Sequence, residues 1–316
     1  MSSRWIRRLL TAAALLALLA VLGSAWFAHR LMVEVLTGRA FSALAQPEID
    51  DPLKIGYRGD PGRAFGMAWQ DVELETPLGP APAWFIPAPG ADGKRLAIFV
   101  HGIGGAREDG YPFLPQLHQA GLPVLLITYR DDAGAPPAPD GLHAFGLTEW
   151  RDLEAAYDWA KSQGYDSVLL VAASMGGSIA GQFLARSDRA GMTAGVVLDA
   201  PALDFPATLR HITRRMALPL GGIGTALALP AFGFSHGLDL SQARVTNAFI
   251  AFKGPLLIFH GEADRIVPPE TSKALLAARG GDTVLVLTPG DHLQSRDTAP
   301  ERFRTALAKL IAALPR

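Results

Sequence analysis

The sequence predicts an α/β protein: a mostly parallel, doubly wound sheet with a cap insertion, preceded by an N-terminal transmembrane helix. Three observations predict it. Six continuous apolar runs recur between residues 95 and 288, each the length of a strand buried on both faces. Segments with one apolar helical face separate several of them, which argues for one parallel sheet with helices on both sides. Leu9–Ala28 holds no charge over twenty residues, enough at about 1.5 Å per residue to cross a hydrocarbon core about 30 Å thick.

At the N-terminus, Arg4, Arg7 and Arg8 precede the apolar run. Basic residues on that side favour a cytosolic N-terminus. The rest of the chain then lies on the non-cytoplasmic side, periplasmic or extracellular, held by a single-pass anchor. Gly23-Ser24-Ala25 supplies the small residues of a signal-cleavage site, so a secreted, cleaved product is the rival reading. The length of the run and the Trp26-Phe27 pair, suited to a membrane interface, favour the uncleaved anchor. Residues 1–30 are thus the anchor or signal, and 31–69 a juxtamembrane helix and linker. The linker, "QPEIDDPLKIGYRGDPGRAFG", is rich in Pro, Gly and Asp and reads as loop. Residues 70–316 form the α/β domain.

Within that domain, Asp71–Glu75 and Ala81–Pro87 alternate in polarity, as a solvated hairpin does. The six buried runs follow: Arg95–Val100, Pro123–Tyr129, Ser167–Ala173, Ala194–Ala200, Pro255–His260 and Thr283–Thr288. Trp150, Leu153, Ala156, Tyr157 and Ala160 share one helical face within Leu147–Gly164, with Thr148 as the expected N-cap and Gly164 as the stop. Ala299–Leu314 carries a similar stripe. Residues 201–254 break the strand–helix alternation and read as an insertion without strand pattern. Inside it, Met216–Phe234 is uncharged but interrupted by Pro and Gly.

Composition narrows the chemistry. The 316 residues include no cysteine, which excludes disulfides, thiolate catalysis and Cys-based metal or cluster sites. The net charge is −1. Without the first thirty residues, 25 basic and 30 acidic side chains remain, a net of −5. That balance does not suit a phosphate backbone, so no nucleic-acid partner is expected. His118, His143, His211 and His236 lack metal-ligand spacing, and no metal or cofactor is expected.

Reacting groups in open α/β sheets gather at the carboxyl ends of strands. After Val100 comes "HGIGG"; after Ala173 come Ser174 and Met175-Gly176-Gly177; after His260 comes "GEADRIVP" with Asp264; after Thr288 comes "PGDHLQ" with His292. A serine hydroxyl is a weak nucleophile until a base takes its proton. His292 has the right intrinsic pKa for that base. Asp264 would hold the imidazole tautomer and stabilise the imidazolium. The N–H groups of Ile103 and Met175 would form the oxyanion hole, one such donor being worth about 3–4 kcal/mol. Asp199, at the end of another strand, is the rival acid. Asp291 is expected to bond backbone. His101 and His260, each before a glycine at a strand end, are expected to orient loops. The charges of "ARED" (Ala106–Asp109) read as solvated, with Arg107 or Glu108 near a substrate head group. "YRDD" (Tyr129–Asp132) reads as a pocket edge.

"FVHGIGG", "ASMGGS", "HGEADRIVP" and "GDHL" together resemble the α/β-hydrolase-fold serine hydrolases, in the lysophospholipase, monoacylglycerol-lipase and serine-aminopeptidase group. The likeness covers residue 70 to the C-terminus. It implies Ser174 as nucleophile, Asp264 as acid and His292 as base, in the order of the fold's triad. It also implies a cap between the sixth and seventh core strands, above the substrate. One position departs from the pattern: Ala172 stands where the turn G-x-S-x-G has its first glycine.

The expected activity is hydrolysis of a carboxylic ester, lipid-like or acyl, through an acyl-enzyme on Ser174. The alternatives are a peptidase or amidase on the same fold, which would need an acidic pocket for an amino terminus, and a non-catalytic membrane-anchored binding protein.

Overall fold

A computed structural model describes residues 3–42 and 49–315. Residues 43–48, within the stretch read as linker, lie outside the described residues. In chain order the helices before the sheet are α1 (Ser3–Leu36), α2 (Arg39–Ser42) and α3 (Pro61–Phe65). The hairpin strands β1 (Gln70–Thr76) and β2 (Gly79–Ile86) follow. Then come β3 (Arg95–Val100), α4 (Leu114–Gln119), β4 (Val124–Ile127), α5 (Trp150–Ser162), β5 (Ser167–Ala173) and α6 (Met175–Arg186). After β6 (Thr193–Asp199) the insertion holds α7 (Phe205–Arg215), α8 (Gly221–His236) and α9 (Thr246–Ala251). The chain closes with β7 (Leu256–Gly261), α10 (Pro269–Arg279), β8 (Thr283–Thr288), α11 (Ser295–Thr298) and α12 (Pro300–Ala313).

The eight strands form one sheet in the order β1-β2-β4-β3-β5-β6-β7-β8. β2 pairs antiparallel with both β1 and β4, and every other pairing is parallel. All eight strand expectations are met within a few residues. The central strands are apolar throughout because both faces are covered. Ile98, Val100, Leu170 and Leu198 pack with α5 and α6 residues on one side, and Phe99, Val171 and Phe259 pack with Phe113 and Phe303 on the other.

α5 starts one residue later than the Thr148 cap would place it. The residue before it is Glu149, fully buried, whose carboxylate accepts the N–H groups of Ala144 at 2.5 Å and Gly146 at 2.9 Å. The Thr148 hydroxyl itself turns to Glu149 Oε2 at 3.4 Å, so it caps no N–H of the helix.

α1 runs six residues beyond Arg30 without a break. It is the one helix among the described residues long and apolar enough to cross a membrane. Its early apolar side chains, such as Leu10 and Leu16, are exposed, whereas Ser24, Ala28, Met32 and Leu36 are buried. The Ser24–His29 part of the helix packs on α8, and the Leu36 carbonyl accepts the His143 N–H at 2.8 Å.

Candidate active site

Ser174 sits between the end of β5 and the start of α6. Its backbone has φ 51 and ψ −119, a conformation that costs a non-glycine residue roughly 1–3 kcal/mol. The surroundings hold it there. The Ser174 N–H donates to the Asp199 carbonyl at 2.9 Å, and its own carbonyl accepts from Gly177 and Ala202 at 3.0 Å each. The helix start is pressed onto the end of β3: a Cβ on Gly176 would lie 2.3 Å from the Val100 carbonyl oxygen. Only glycine fits there. Ala172 has no such crowding. It is a regular β5 residue paired with Val100 and Leu198, fully buried, and its φ is not positive.

Three elements bring three side chains together. The Ser174 hydroxyl and His292 Nε2 are 2.9 Å apart, and His292 Nδ1 lies 2.8 Å from Asp264 Oδ2. Asp264 follows β7 and His292 follows β8, so both stand at carboxyl ends of strands on the same edge as Ser174. Asp264 Oδ1 accepts the N–H groups of Ile266 and Val267 at 2.8 Å each. His260 Nε2 lies 3.3 Å from Asp264 Oδ2 and 3.2 Å from the Val267 carbonyl, while its Nδ1 contacts the Ser272 hydroxyl at 2.7 Å. Burial alone would raise the Asp264 carboxyl. The hydrogen bonds from His260 and His292, the His292 charge and the Val267 N–H outweigh it and hold the group well below the usual carboxylate range.

The loop carrying His292 is tied down by Asp291. Its Oδ1 accepts the N–H groups of His292 at 2.8 Å and Arg265 at 2.9 Å, and its other oxygen pairs with the Arg265 guanidinium at 2.5 Å. The loops after β7 and β8 thus share one clamp.

Asp199 does not touch His292 by a hydrogen bond. Its Oδ1 accepts the Ser295 hydroxyl at 3.0 Å. Burial pushes its carboxyl up to about 6, against the Ser295 hydrogen bond and the nearby histidines.

Opposite Ser174, Gly102 and Ile103 form a loop after β3. Among the described residues the Ile103 N–H has no hydrogen-bond partner. Met175 opens α6, where a helix N–H has no partner of its own. Behind the loop, His101 is fully buried. Its Nδ1 lies 2.8 Å from the Gly102 carbonyl and its Nε2 2.9 Å from Asp132 Oδ2. Both ring nitrogens face acceptor oxygens. Burial opposes the charged ring, but the Asp132 charge and hydrogen bond and the Gly102 carbonyl outweigh it and raise the pKa. The Tyr129 ring stacks on the imidazole at 4.5 Å and its hydroxyl donates to the His101 and Gly102 carbonyls at 3.1 Å each.

Several sequence expectations change here. Asp109 of "ARED" is not solvated: it is 4% exposed and accepts the N–H groups of Gly56 at 3.2 Å and Ala106 at 3.0 Å. Arg107 lies 4.0 Å over the Trp84 ring. "YRDD" does not edge the cavity. Asp132 holds His101, and Arg130 makes a buried two-pronged pair with Asp152. Neither pairing is local in sequence.

The cavity at Ser174 has a volume of about 1270 Å³. Its walls include the loop 102–105, Arg265, Ile266 and His292. The unexpected wall is the segment read as linker: Ile49, Pro52, Tyr57, Arg58 and Arg63 line it. Tyr111 donates to the Gly59 carbonyl at 2.7 Å and, with Asp109, pins that segment over the mouth. No described residue of 201–254 lines the cavity. The insertion is packed against α1 instead. Among the described residues no cluster of His and acidic side chains could hold a metal ion.

No protein-family model matches the chain. Human ABHD12B is 27% identical over 250 residues, which span 73% of this chain and 64% of that protein. The esterase Pf2001 of Pyrococcus furiosus superposes with a TM-score of 0.63 at 20% identity, over 85% of this chain and 98% of its own. XC6422 of Xanthomonas campestris, an α/β serine hydrolase without a lid, superposes with a TM-score of 0.54 at 20% identity, over 78% of this chain and 96% of its own. With the sheet order and the strained strand-to-helix turn at Ser174, these superpositions establish that the chain has the α/β-hydrolase fold.

Proposed function

We propose that the protein is a serine hydrolase that cleaves carboxylic esters. The observation that carries this is the hydrogen-bonded chain from Ser174 through His292 to Asp264, with links of 2.9 and 2.8 Å. His292 Nε2 takes the Ser174 proton as Oγ bonds to the ester carbonyl carbon. The N–H groups of Ile103 and Met175 stabilise the oxyanion. The carbon–oxygen bond to the alcohol breaks as His292 returns the proton to the leaving oxygen. Water, deprotonated by His292, then releases the acid and restores Ser174. Asp264 stays ionised throughout and stabilises the imidazolium.

The cavity supports an acyl ester with a polar head group. Ile49, Ile55 and Ile266 offer apolar wall, and Arg58, Arg63 and Arg265 offer donors at the mouth. On the reading of α1 as an uncleaved span with basic residues before it, the domain faces the non-cytoplasmic side.

A fluorophosphonate probe tests the reading. Wild type is labelled and Ser174→Ala is not; equal labelling of both would sink it. A chain-length series of esters, set against aminoacyl amides, separates esterase from peptidase. Protease access to the domain in sealed cells reads its side of the membrane.

A further inference from the structure

α1 is joined side by side to α8. The Ser24 hydroxyl donates to the Pro219 carbonyl at 2.5 Å, and a Cβ on Gly224 would lie 2.5 Å from the Ser24 Cβ. Eight and eleven residues after Gly224, His29 meets Phe232 at 5.5 Å between rings and Ser235 at 3.2 Å. The two helices therefore run in the same direction, with the start of α8 level with Ser24. Ser24 lies four residues before the end of the uncharged run at Ala28, about 6 Å along the helix. The turn between α7 and α8 is thus carried to a depth just inside the apolar layer that α1 would cross.

The composition of that turn fits this depth. Met216, Leu220 and Ile223 are exposed, at 47%, 46% and 54%. Arg214 and Arg215 stand immediately before them, exposed and without an ion pair among the described residues. Between Asp204 and Asp239 the chain holds no acidic residue, and its only charges are Arg210, Arg214 and Arg215. Ala217 and Leu220 both have φ 51, so the turn is a tight, fixed tip. Apolar side chains at the point, cations just behind them and no acid nearby is the pattern of a headgroup-layer contact.

We propose that the Met216–Ile223 tip inserts into the headgroup and upper acyl layer of an anionic bilayer, with Arg214 and Arg215 at the lipid phosphates. The insertion after β6 is then a second membrane contact, rigidly coupled to α1, that sets the height and tilt of the Ser174 cavity above the bilayer. The proposal rests on α1 being a membrane span.

The absence of native cysteine makes the test direct. Full-length Leu15→Cys, Ile223→Cys and Phe234→Cys would each carry an environment-sensitive bimane. They would be placed in vesicles of phosphatidylcholine and phosphatidylglycerol, about three to one, containing spin-labelled lipid. Quenching is expected at Leu15 and Ile223. It is not expected at Phe234, 95% exposed but about 16 Å further along α8. Quenching at Leu15 with none at Ile223 overturns the proposal and leaves the span intact. No quenching at Leu15 overturns the span itself, and the proposal with it. Arg214→Gln with Arg215→Gln should weaken the Ile223 quenching several-fold in these vesicles and not in pure phosphatidylcholine. An equal effect in both would remove the arginines from the contact.

Discussion

Gly102 and Ser174 meet face to face across the site: a Cβ on Gly102 would lie 2.8 Å from the Ser174 Cβ. The loop after β3 therefore approaches Ser174 as closely as backbone allows. Gly102→Ala must push that loop back, and Ile103 with it. We expect kcat to fall about 10²–10³-fold, the worth of one oxyanion donor, with circular dichroism unchanged. Near-wild-type kcat would mean the loop does not serve the oxyanion.

Ser174→Ala and His292→Ala should each abolish ester turnover. Asp264→Asn should lower kcat by about 10⁴-fold through loss of the correct imidazole tautomer. Steady-state kinetics on the best ester of the series reads all three. If Asp199→Asn lost as much as Asp264→Asn, the acid would have been misassigned.

Ala172→Gly should leave kcat intact or raise it modestly. The crowding that demands glycine falls on Gly176, not on position 172. Removing the buried methyl from β5 should cost about 1 kcal/mol of stability, from the void and the added chain entropy, measured by urea denaturation. Complete loss of activity would show that the turn is built differently.

Asp199 gives a pH dependence of definite sign. Its carboxyl rises from 3.8 to about 6 on folding. Between those values the native state binds the proton that the unfolded chain has released, so stability falls as pH rises. The whole effect is about 3 kcal/mol, at about 1.4 kcal/mol per unit. Asp199→Asn should therefore raise the melting temperature at pH 8 and leave it unchanged near pH 4. Asp264 acts in the opposite sense: its depressed carboxyl contributes stability that is lost as the pH falls below the ordinary 3.8. A gain from Asp199→Asn that is equal at both pH values would mean Asp199 does not titrate as described.

The legible part of the site is the part that lies at strand ends. β5, β7 and β8 are continuous apolar runs, so the residues that follow them are found by counting, and Ser174, Asp264 and His292 fall out in order. The wall of the cavity was not legible. Ile49, Tyr57 and Arg63 sit in a Pro- and Gly-rich stretch whose composition says loop and nothing about what it covers. Only the bonds from Gly56 to Asp109 and from Tyr111 to Gly59, about fifty residues apart, fold it over the mouth. The His101–Asp132 pair was hidden for the same reason: α4 and β4 separate its members in the chain, while β3 and β4, whose ends carry them, are neighbours in the sheet.

By itself the sequence determined the strands and their mostly parallel sheet, the apolar N-terminal helix and the residues offered at the strand ends. Those follow from local rules of period, burial and turn chemistry acting within a dozen residues. Only the tertiary structure decided which surface the insertion covers. Its α8 is apolar on two sides: one stripe, Gly224, Ala228 and Phe232, is buried, and Ile223, Leu227 and Phe234 are exposed. A helix with two apolar stripes does not state its partner. The fit of Gly224 against Ser24 assigns it to α1, and leaves the cavity at Ser174 to be walled by residues 49–64.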